Sequence, residues 1–198
     1  MRPDPNARPE YVEAFREIAA RIASSVAGVP AAALPIKMYV AGGAALHLYT
    51  GERVSEDIDA VFSRRIALPD NLEVGYQDAD GAARLLYFDR QYSDTLALIH
   101  EDAHQDSVPL TLAGIDARRL DVRLLSPLDL AVSKLSRLSE QDRDDIVTLA
   151  RRKLVKAAAL RSRAGQALVG FVGSIERIQG NIARAGRIVE DTERRHSR

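Results

Sequence analysis

The stretch that decides the fold is Ile36-Lys37-Met38-Tyr39-Val40-Ala41-Gly42-Gly43-Ala44-Ala45-Leu46-His47-Leu48-Tyr49. Its first five residues predict a buried strand, because a short apolar run that ends on glycine is typical of a strand inside a core. Residues 44–49 predict the short helix that follows. Glycine lets backbone N–H groups approach an anion closely, and the start of a helix directs unpaired donors to the same place. Strand, glycine turn and helix therefore predict a phosphate-binding site.

Two aspartates follow this turn in a second predicted strand. Asp57 lies fourteen residues after Gly43, and Asp59 follows it after a single isoleucine. Residues i and i+2 of a strand share one face, so both carboxylates leave the sheet together while Ile58 turns to the core. Two carboxylates this close repel each other unless a cation lies between them. The pair therefore predicts a divalent metal ion beside a nucleoside triphosphate.

Composition limits the kinds of protein that this chain can be. With 198 residues, 46% of them apolar, it can form one sizeable core with an appendage. The absence of cysteine excludes disulfides and zinc sites built from thiolates. Residues 1–9 lack the apolar core of a signal peptide, and no later apolar run is long enough to span a bilayer. We expect a soluble, cytoplasmic protein with no membrane contact.

Charge is balanced over the whole chain but not along it. Residues 151–198 carry twelve Lys and Arg against four Asp and Glu, a balance of +8, so residues 1–150 carry −8. A basic tail of this kind is typical of a surface for a polyanion or an acidic partner, and a solvated helix face explains it equally. The predicted metal site lies in the acidic part of the chain.

The remaining pattern alternates between strands and helices and then becomes helical. Apolar residues at helical spacing predict a helix over residues 10–26, and further strands are predicted at 85–89 and 120–125. Ser126 and Pro127 are typical of the first positions of a helix. A last long helix is predicted over residues 168–189. The predicted organisation is an α/β core with an N-terminal helix over residues 1–125, and a helical region over residues 126–198 packed on that core.

A second group of charged residues lies in the helical region. Lys134 and Arg137 are three residues apart, and Asp142 and Asp145 repeat that spacing after a short break. Charged residues at this spacing are common on exposed helices, where a pair of opposite charges contributes only a few tenths of a kcal/mol, about 0.2–0.5. On this reading the cluster is only a solvated surface.

Taken together, the two groups resemble a known superfamily. A glycine pair followed at about this distance by Asp-hydrophobic-Asp is the pattern of nucleotidyltransferases. The later run Ser-Pro, Leu-x-x-x-Lys-Leu-x-Arg, then Asp-x-x-Asp-Ile is similar to the nucleotidyltransferase toxins of abortive-infection and toxin–antitoxin systems, of the AbiEii and MenT type, and to a related bacterial family. The resemblance runs from about Met38 to Leu149. It implies an α+β fold of the nucleotidyltransferase type, with a small mixed sheet flanked by helices and a C-terminal helical extension.

The resemblance also implies roles for individual residues. A third carboxylate is expected to hold metal and to take the acceptor's proton; Asp89 at the end of the third predicted strand is our choice, and Asp121 is the alternative. The metal would be Mg²⁺ or Mn²⁺. The implied site residues are Asp57, Asp59 and Asp89 for metal and catalysis, Lys134 for catalysis and nucleotide binding, and Gly42, Gly43, Ser55, Arg137, Asp142 and Asp145 for nucleotide binding.

The implied reaction is transfer of a nucleoside monophosphate from a nucleoside triphosphate to a hydroxyl group. If the toxin resemblance holds, the acceptor is an RNA, with tRNA foremost, or a protein side chain, and a cognate antitoxin is expected. Many nucleotidyltransferases have serine where this chain has Gly43. The alternative is therefore a nucleotidyltransferase fold that binds without catalysing.

A third class of function is suggested by His100-Glu101-Asp102-Ala103-His104, which fits the H-E-x-x-H pattern of zinc metallopeptidases. That pattern requires a helix, because two histidines four residues apart bind one metal only from a common helix face. Pro109 leaves little room for such a helix, and we interpret the histidines as loop residues.

Overall fold

The computed structural model describes residues 1–196. Its packing divides the chain into two compact units. The first consists of Met1–Ser93 and Ser107–Leu124, and it holds all seven strands of the described residues. The second consists of Asp94–Asp106 and the described residues from Leu125 onward, and it is helical.

Two small sheets form the first unit. The strands are β1 (Ile36–Val40), β2 (Asp57–Ile58), β3 (Ala60–Phe62), β4 (Glu73–Gln77), β5 (Ala83–Phe88), β6 (Val108–Pro109) and β7 (Leu120–Leu124). One sheet has the order β3-β1-β7-β6, in which β1 is antiparallel to β3 and parallel to β7. The other has the order β2-β5-β4, in which β5 is parallel to β2 and antiparallel to β4. Both sheets are mixed, and the predicted α+β class is confirmed.

The predicted strand through the two aspartates is in fact two strands. Asp57 pairs with Tyr87 of β5, whereas Val61 pairs with Tyr39 of β1. Asp59 stands between the two segments, at the point where the chain leaves one sheet and enters the other. Its carbonyl accepts a hydrogen bond from the N–H of Ala41, at 2.8 Å. This bond joins the aspartate segment to the end of β1.

Two helices complete the first unit. The helix α1 (Pro9–Ser25) buries one stripe that contains Tyr11, Phe15 and Ile18, and it packs on β4 and β5. The helix α2 (Gly42–Thr50) begins at the glycine pair, and all of its residues after Gly42 are buried. It ends at Gly51, which adopts the left-handed conformation that favours glycine.

The second unit contains four further helices, α3 (Pro127–Ser133), α4 (Glu140–Arg151), α5 (Ala157–Ala167) and α6 (Ile175–His196). The hydroxyl of Ser126 accepts the N–H of Asp129, which confirms the predicted start of α3. The predicted helix over 168–189 begins too early. Residues 168–170 form a short 3-10 turn, and Gly173, at φ +154°, separates it from α6. Among the described residues, no helix combines the length and apolarity needed to cross a membrane.

Candidate active site at the glycine turn

Gly42 is fixed by contact with Asp59. Its φ of +59° lies in the region that favours glycine, and a Cβ at this position would stand 1.9 Å from Oδ2 of Asp59. No side chain therefore fits at residue 42 while Asp59 keeps its place. The glycine turn and the second aspartate are therefore in direct contact.

Gly43 is fixed by two other side chains. A Cβ here would lie 2.6 Å from Oγ of Ser55 and 2.7 Å from a terminal guanidinium nitrogen of Arg53. A serine at residue 43 would displace both. The space that its side chain would need is thus taken by the hydroxyl of Ser55 and the cation of Arg53.

The chain reverses at Gly51, and this reversal brings Arg53 and Ser55 back to the first turn of α2. The Gly51 N–H caps the helix by donating to the carbonyl of His47 at 2.8 Å. The ring of His47 is buried, and its Nδ1 lies 2.5 Å from the carbonyl oxygen of Glu52. Burial lowers the pKa of His47, so the ring is held neutral near pH 7. The segment after α2 is therefore anchored to the helix that it follows.

The carboxylates meet where two parallel strands end. Asp57 lies in β2, and its Oδ1 accepts a short hydrogen bond from the buried hydroxyl of Ser55. Asp89 comes directly after β5, and its N–H donates to the carbonyl of Ile58 at 3.1 Å. This bond continues the parallel register of β2 and β5, so Asp89 is the neighbour of Asp59 across the two strands. All three aspartates are partly exposed.

The negative charges of these carboxylates all raise the pKa of the nearby Tyr87 phenol. The charge of Asp57 raises the pKa of Tyr87 most, and desolvation and the charge of Asp89 add to it. Asp59 acts in the same direction. The three aspartates therefore form one local group of negative charge.

Asp121 lies elsewhere in the first unit. It is in β7, beside Lys37 of β1, and it forms an ion pair with Arg123 at 3.0 Å. Arg123 also donates to the hydroxyl of Ser107 at 2.8 Å. The structure thus places Asp89, and not Asp121, next to the aspartate pair.

The carboxylates fit a divalent cation whose remaining ligands come from a substrate and from water. Within residues 1–196, no three His, Asp or Glu side chains are grouped closely enough to hold a metal by themselves. Magnesium is commonly bound by one or two carboxylates together with substrate phosphates, and it keeps several waters. Asp57 and Asp59 could supply two hard oxygen ligands of this kind, and the close fit of Gly42 on Asp59 leaves backbone, rather than a side chain, beside them.

The second charged cluster lies in the second unit, where Lys134, Asp142 and Asp145 are buried and Arg137 is exposed. Lys134 is 8% exposed, and its ammonium donates to Oδ2 of Asp145 at 2.6 Å and lies 4.0 Å from Oδ1 of Asp142. Arg137 donates twice to Asp142, both times at 2.9 Å. The pairs thus run 134–145 and 137–142, across the turn between two helical segments. Three of the four side chains are therefore buried, whereas the spacing suggests exposed neighbours throughout.

Asp142 also caps the start of α4. Its carboxylate accepts the N–H and the hydroxyl of Ser139, while the Ser139 hydroxyl accepts the N–H of Asp142, which is a capping box. Burial by itself would raise the pKa of Asp142, but the bonds from Arg137 and Ser139 outweigh it and lower the pKa to about 2. The cluster therefore has a structural role in its own unit. Its assignment to a nucleotide stays a prediction.

The histidine segment does not form a peptidase site. Residues 101–104 are turns rather than a helix. Nε2 of His104 lies 3.2 Å from Asp94, and Nδ1 of His100 accepts the N–H of Asp102 at 3.1 Å. Without a helix the two histidine rings do not share a helix face, so the H-E-x-x-H sequence does not form the zinc site of a metallopeptidase.

Sequence reasoning missed two residues of the glycine-turn site. Arg53 precedes Ser55 by two positions, and a basic residue between the glycines and the aspartates is the signal that could have identified it. Tyr11 of α1 gave no signal. Its ring packs edge-on against His47, with centroids 4.7 Å apart, and its buried hydroxyl has no hydrogen-bond partner among the described residues. Burial, with the charges of Asp57 and Asp59, raises the pKa of Tyr11 well above its ordinary value.

Comparison with known proteins agrees with this geometry. Residues 20–179 match the model of a family described as "Nucleotidyltransferase of unknown function (DUF6036)". The match includes the glycine turn, the three aspartates and the buried cluster of the second unit, whereas Tyr11 lies before it. No curated protein and no solved structure gave a significant match. The chain belongs to this family of nucleotidyltransferases.

Proposed function

We propose that the protein transfers a nucleoside monophosphate from a nucleoside triphosphate to a hydroxyl acceptor, with Mg²⁺ or Mn²⁺ as cofactor. The observation that carries the proposal is the contact between Gly42 and Asp59, which puts a carboxylate directly against the glycine turn. Asp57 lies in β2, two residues before Asp59, and Asp89, directly after the neighbouring strand β5, lies beside Asp59. Anion-binding backbone and metal-binding oxygens are therefore adjacent, as this chemistry requires.

Each residue has a distinct part in the reaction. Backbone N–H groups at Gly42 and Gly43 bind phosphate oxygens at the start of α2. Asp57 and Asp59 hold the divalent ion, which when bound offsets charge on the phosphates. The hydroxyl of Ser55 fixes the orientation of Asp57 through their hydrogen bond. Asp89 accepts the proton of the acceptor hydroxyl, whose oxygen bonds to the α-phosphorus while the bond to pyrophosphate breaks.

The proposal includes nucleotide contacts by four charged residues of the second unit, Lys134, Arg137, Asp142 and Asp145. Lys134 and Arg137 bring two positive charges, and Asp142 and Asp145 offset both within the cluster. A contact with the nucleotide then requires Lys134 to share its ammonium protons with Asp145. The nucleotide dependence of thermal unfolding in Lys134→Arg, which keeps the charge, tests this contact.

The decisive experiment removes the metal ligands and keeps the fold. Asp57→Asn with Asp59→Asn is compared with Asp70→Asn, an exposed aspartate of the same unit. Calorimetry with Mg²⁺ and each of the four nucleoside triphosphates measures binding, and transfer of an α-³²P label to total tRNA and to cell protein measures turnover. We expect the double variant to lose both, and Asp70→Asn to keep both. Full retention by the double variant would refute the proposal.

An RNA acceptor is favoured over a protein acceptor by the local charge of the second unit. Arg151, Arg152, Lys153 and Lys156 are exposed within six residues, and no acidic residue occurs from 151 to 174. By contrast, α6 carries five Arg and four acidic residues. A compact cluster of cations suits a phosphate backbone better than a nearly balanced helix does.

Binding of tRNA as a function of salt tests this acceptor. Arg151→Glu with Lys153→Glu is compared with Arg184→Glu and Arg187→Glu on α6, where both arginines are exposed. We expect the first variant to weaken binding and to reduce the slope of log K against log salt by roughly 1 to 2. A flat salt response in the wild type would argue against RNA.

The toxin role, with a cognate antitoxin, predicts that expression of the wild type arrests growth and that expression of the Asp57/Asp59 double variant does not.

A second candidate function is nucleotide binding without transfer. It is favoured by the hydrogen bond that the hydroxyl of Ser55 donates to Asp57. This hydroxyl stands at Gly43, but because it is engaged by Asp57 it does not replace the phosphate-binding serine of many nucleotidyltransferases. The same calorimetry and labelling experiment separates the two candidates. Metal-dependent binding with no transfer to any RNA or protein fraction would favour the binding module.

A further inference from the structure

Arg53 brings a guanidinium group to the glycine turn. Its terminal nitrogen lies 2.7 Å from the position that a Cβ of Gly43 would occupy, so the group stands directly over the second glycine. Arg53 is partly exposed, and the hydroxyl of Ser55 beside it is buried. The lack of a side chain at residue 43 is what makes room for this cation.

The charge of Arg53 acts within the same site. It lowers the pKa of the buried Tyr11 phenol, against the larger effects of burial and of Asp57. Arg53 and the two metal-binding aspartates thus share one small region of the first unit. The hydroxyl of Tyr11, which is buried and has no partner among residues 1–196, lies in that same field.

The proposed reaction needs a cation that is not a metal. A triphosphate carries more negative charge than one divalent ion offsets, and Asp57 and Asp59 add two further negative charges. Lys134, the cation that the sequence suggests, lies in the second unit and is bonded to Asp145, whereas the guanidinium of Arg53 stands at the glycine turn itself. A guanidinium also suits a phosphate better than an ammonium, because its planar fork can donate two parallel hydrogen bonds.

We propose that Arg53 is a phosphate-binding residue of this protein, and that it contacts the triphosphate where the chain passes Gly43. This inference rests on the function proposed above. It assigns to one segment, residues 42–59, the backbone donors, the hydroxyl, the cation and the metal-binding carboxylates. Gly43 is then required for the position of Arg53.

Calorimetry with Mg²⁺ and inorganic tripolyphosphate tests the assignment without reference to base or acceptor. Arg53→Gln removes the charge, Arg53→Lys keeps the charge but loses the fork, and Arg64→Gln removes an exposed arginine of the same unit. We expect Arg53→Gln to bind about 10- to 100-fold more weakly than the wild type, and Arg53→Lys about 3- to 10-fold more weakly. Arg64→Gln should bind as the wild type does.

The outcomes separate this inference from the proposed function. Wild-type binding that depends on Asp57 and Asp59 but is unchanged in Arg53→Gln would overturn the role of Arg53 and leave the function standing. A wild type that binds neither tripolyphosphate nor any nucleoside triphosphate would overturn both. If Arg53→Gln does not fold, as judged by circular dichroism, Arg53→Lys decides: affinity equal to that of the wild type would contradict the bidentate contact and overturn the proposal.

Discussion

Replacement of Lys134 by methionine tests whether the buried cluster holds the second unit together. Lys134 is 8% exposed and Asp145 is 1% exposed, and their 2.6 Å hydrogen bond is therefore little screened by solvent. Methionine keeps the length of the side chain but leaves Asp145 without this cation. Breaking a buried ion pair from one side costs about 3–5 kcal/mol, because the remaining charge stays desolvated. For a chain of this length that corresponds to a fall in Tm of roughly 6–20 °C.

Urea unfolding followed by circular dichroism measures this effect. Lys156→Met is the matched control, because Lys156 is exposed at the start of α5 and forms no side-chain cap there; its change should stay within about 0.5 kcal/mol. Lys134→Met combined with Asp145→Leu should recover most of the loss, since an apolar pair removes the stranded charge. A Lys134→Met variant as stable as the control would refute the structural role. Lys134 would then be available for the nucleotide.

Three further variants test the remaining contacts. Gly43→Ser should lower the free energy of unfolding by about 1–3 kcal/mol and weaken binding of Mg²⁺-tripolyphosphate, because the new side chain displaces Ser55 and Arg53; unchanged binding would contradict this packing. Tyr11→Phe should leave stability in urea unchanged or higher, since the buried hydroxyl that it removes has no partner among the described residues, and a loss above about 1 kcal/mol would show that the hydroxyl is bonded. The lowered pKa of Asp142 stabilises the fold at pH values above its unfolded value of about 4, and this contribution, about 2 kcal/mol, is lost as the pH falls toward 2. Acid titration of Arg137→Gln should show a smaller loss in that interval, and an identical titration would contradict the assigned cause.

Local patterns were enough to predict the glycine turn but not the sheet switch beside it. The strand β1, the glycines and α2 are consecutive, and an apolar run broken by two glycines specifies them without reference to distant residues. The break at Asp59 depends on pairing with β5 on one side and β1 on the other, which no local pattern contains. The start of α6 was missed for a different reason. Apolar spacing continues through Gly173, whereas the backbone conformation there does not.

The same distinction applies to the charged residues. The alternation around Ile58 identified Asp57 and Asp59, since a strand fixes which side chains share a face. The neighbour relation of Asp89 to Asp59 follows from a parallel pairing that spans thirty residues, so sequence reasoning left Asp121 as an alternative. In the buried cluster the spacing of three suggested pairs within one helix. Leu138, at φ +48°, turns the chain between the two helical segments, and the pairs form across that turn.

Gly43 is better explained as part of an exchange of side chains than as the loss of a serine. A Cβ at residue 43 would lie only 2.6 Å from Oγ of Ser55, so a serine at residue 43 and the present position of the Ser55 hydroxyl are alternatives. The reversal at Gly51 favours the second, because it returns the chain along α2 and brings Ser55 to Asp57 and Arg53 to the glycine turn. Gly43→Ser would therefore displace the guanidinium of Arg53 from the proposed phosphate site and put a second hydroxyl beside that of Ser55. The glycine at residue 43 and the arginine at residue 53 therefore affect transfer jointly, because the first makes room for the second.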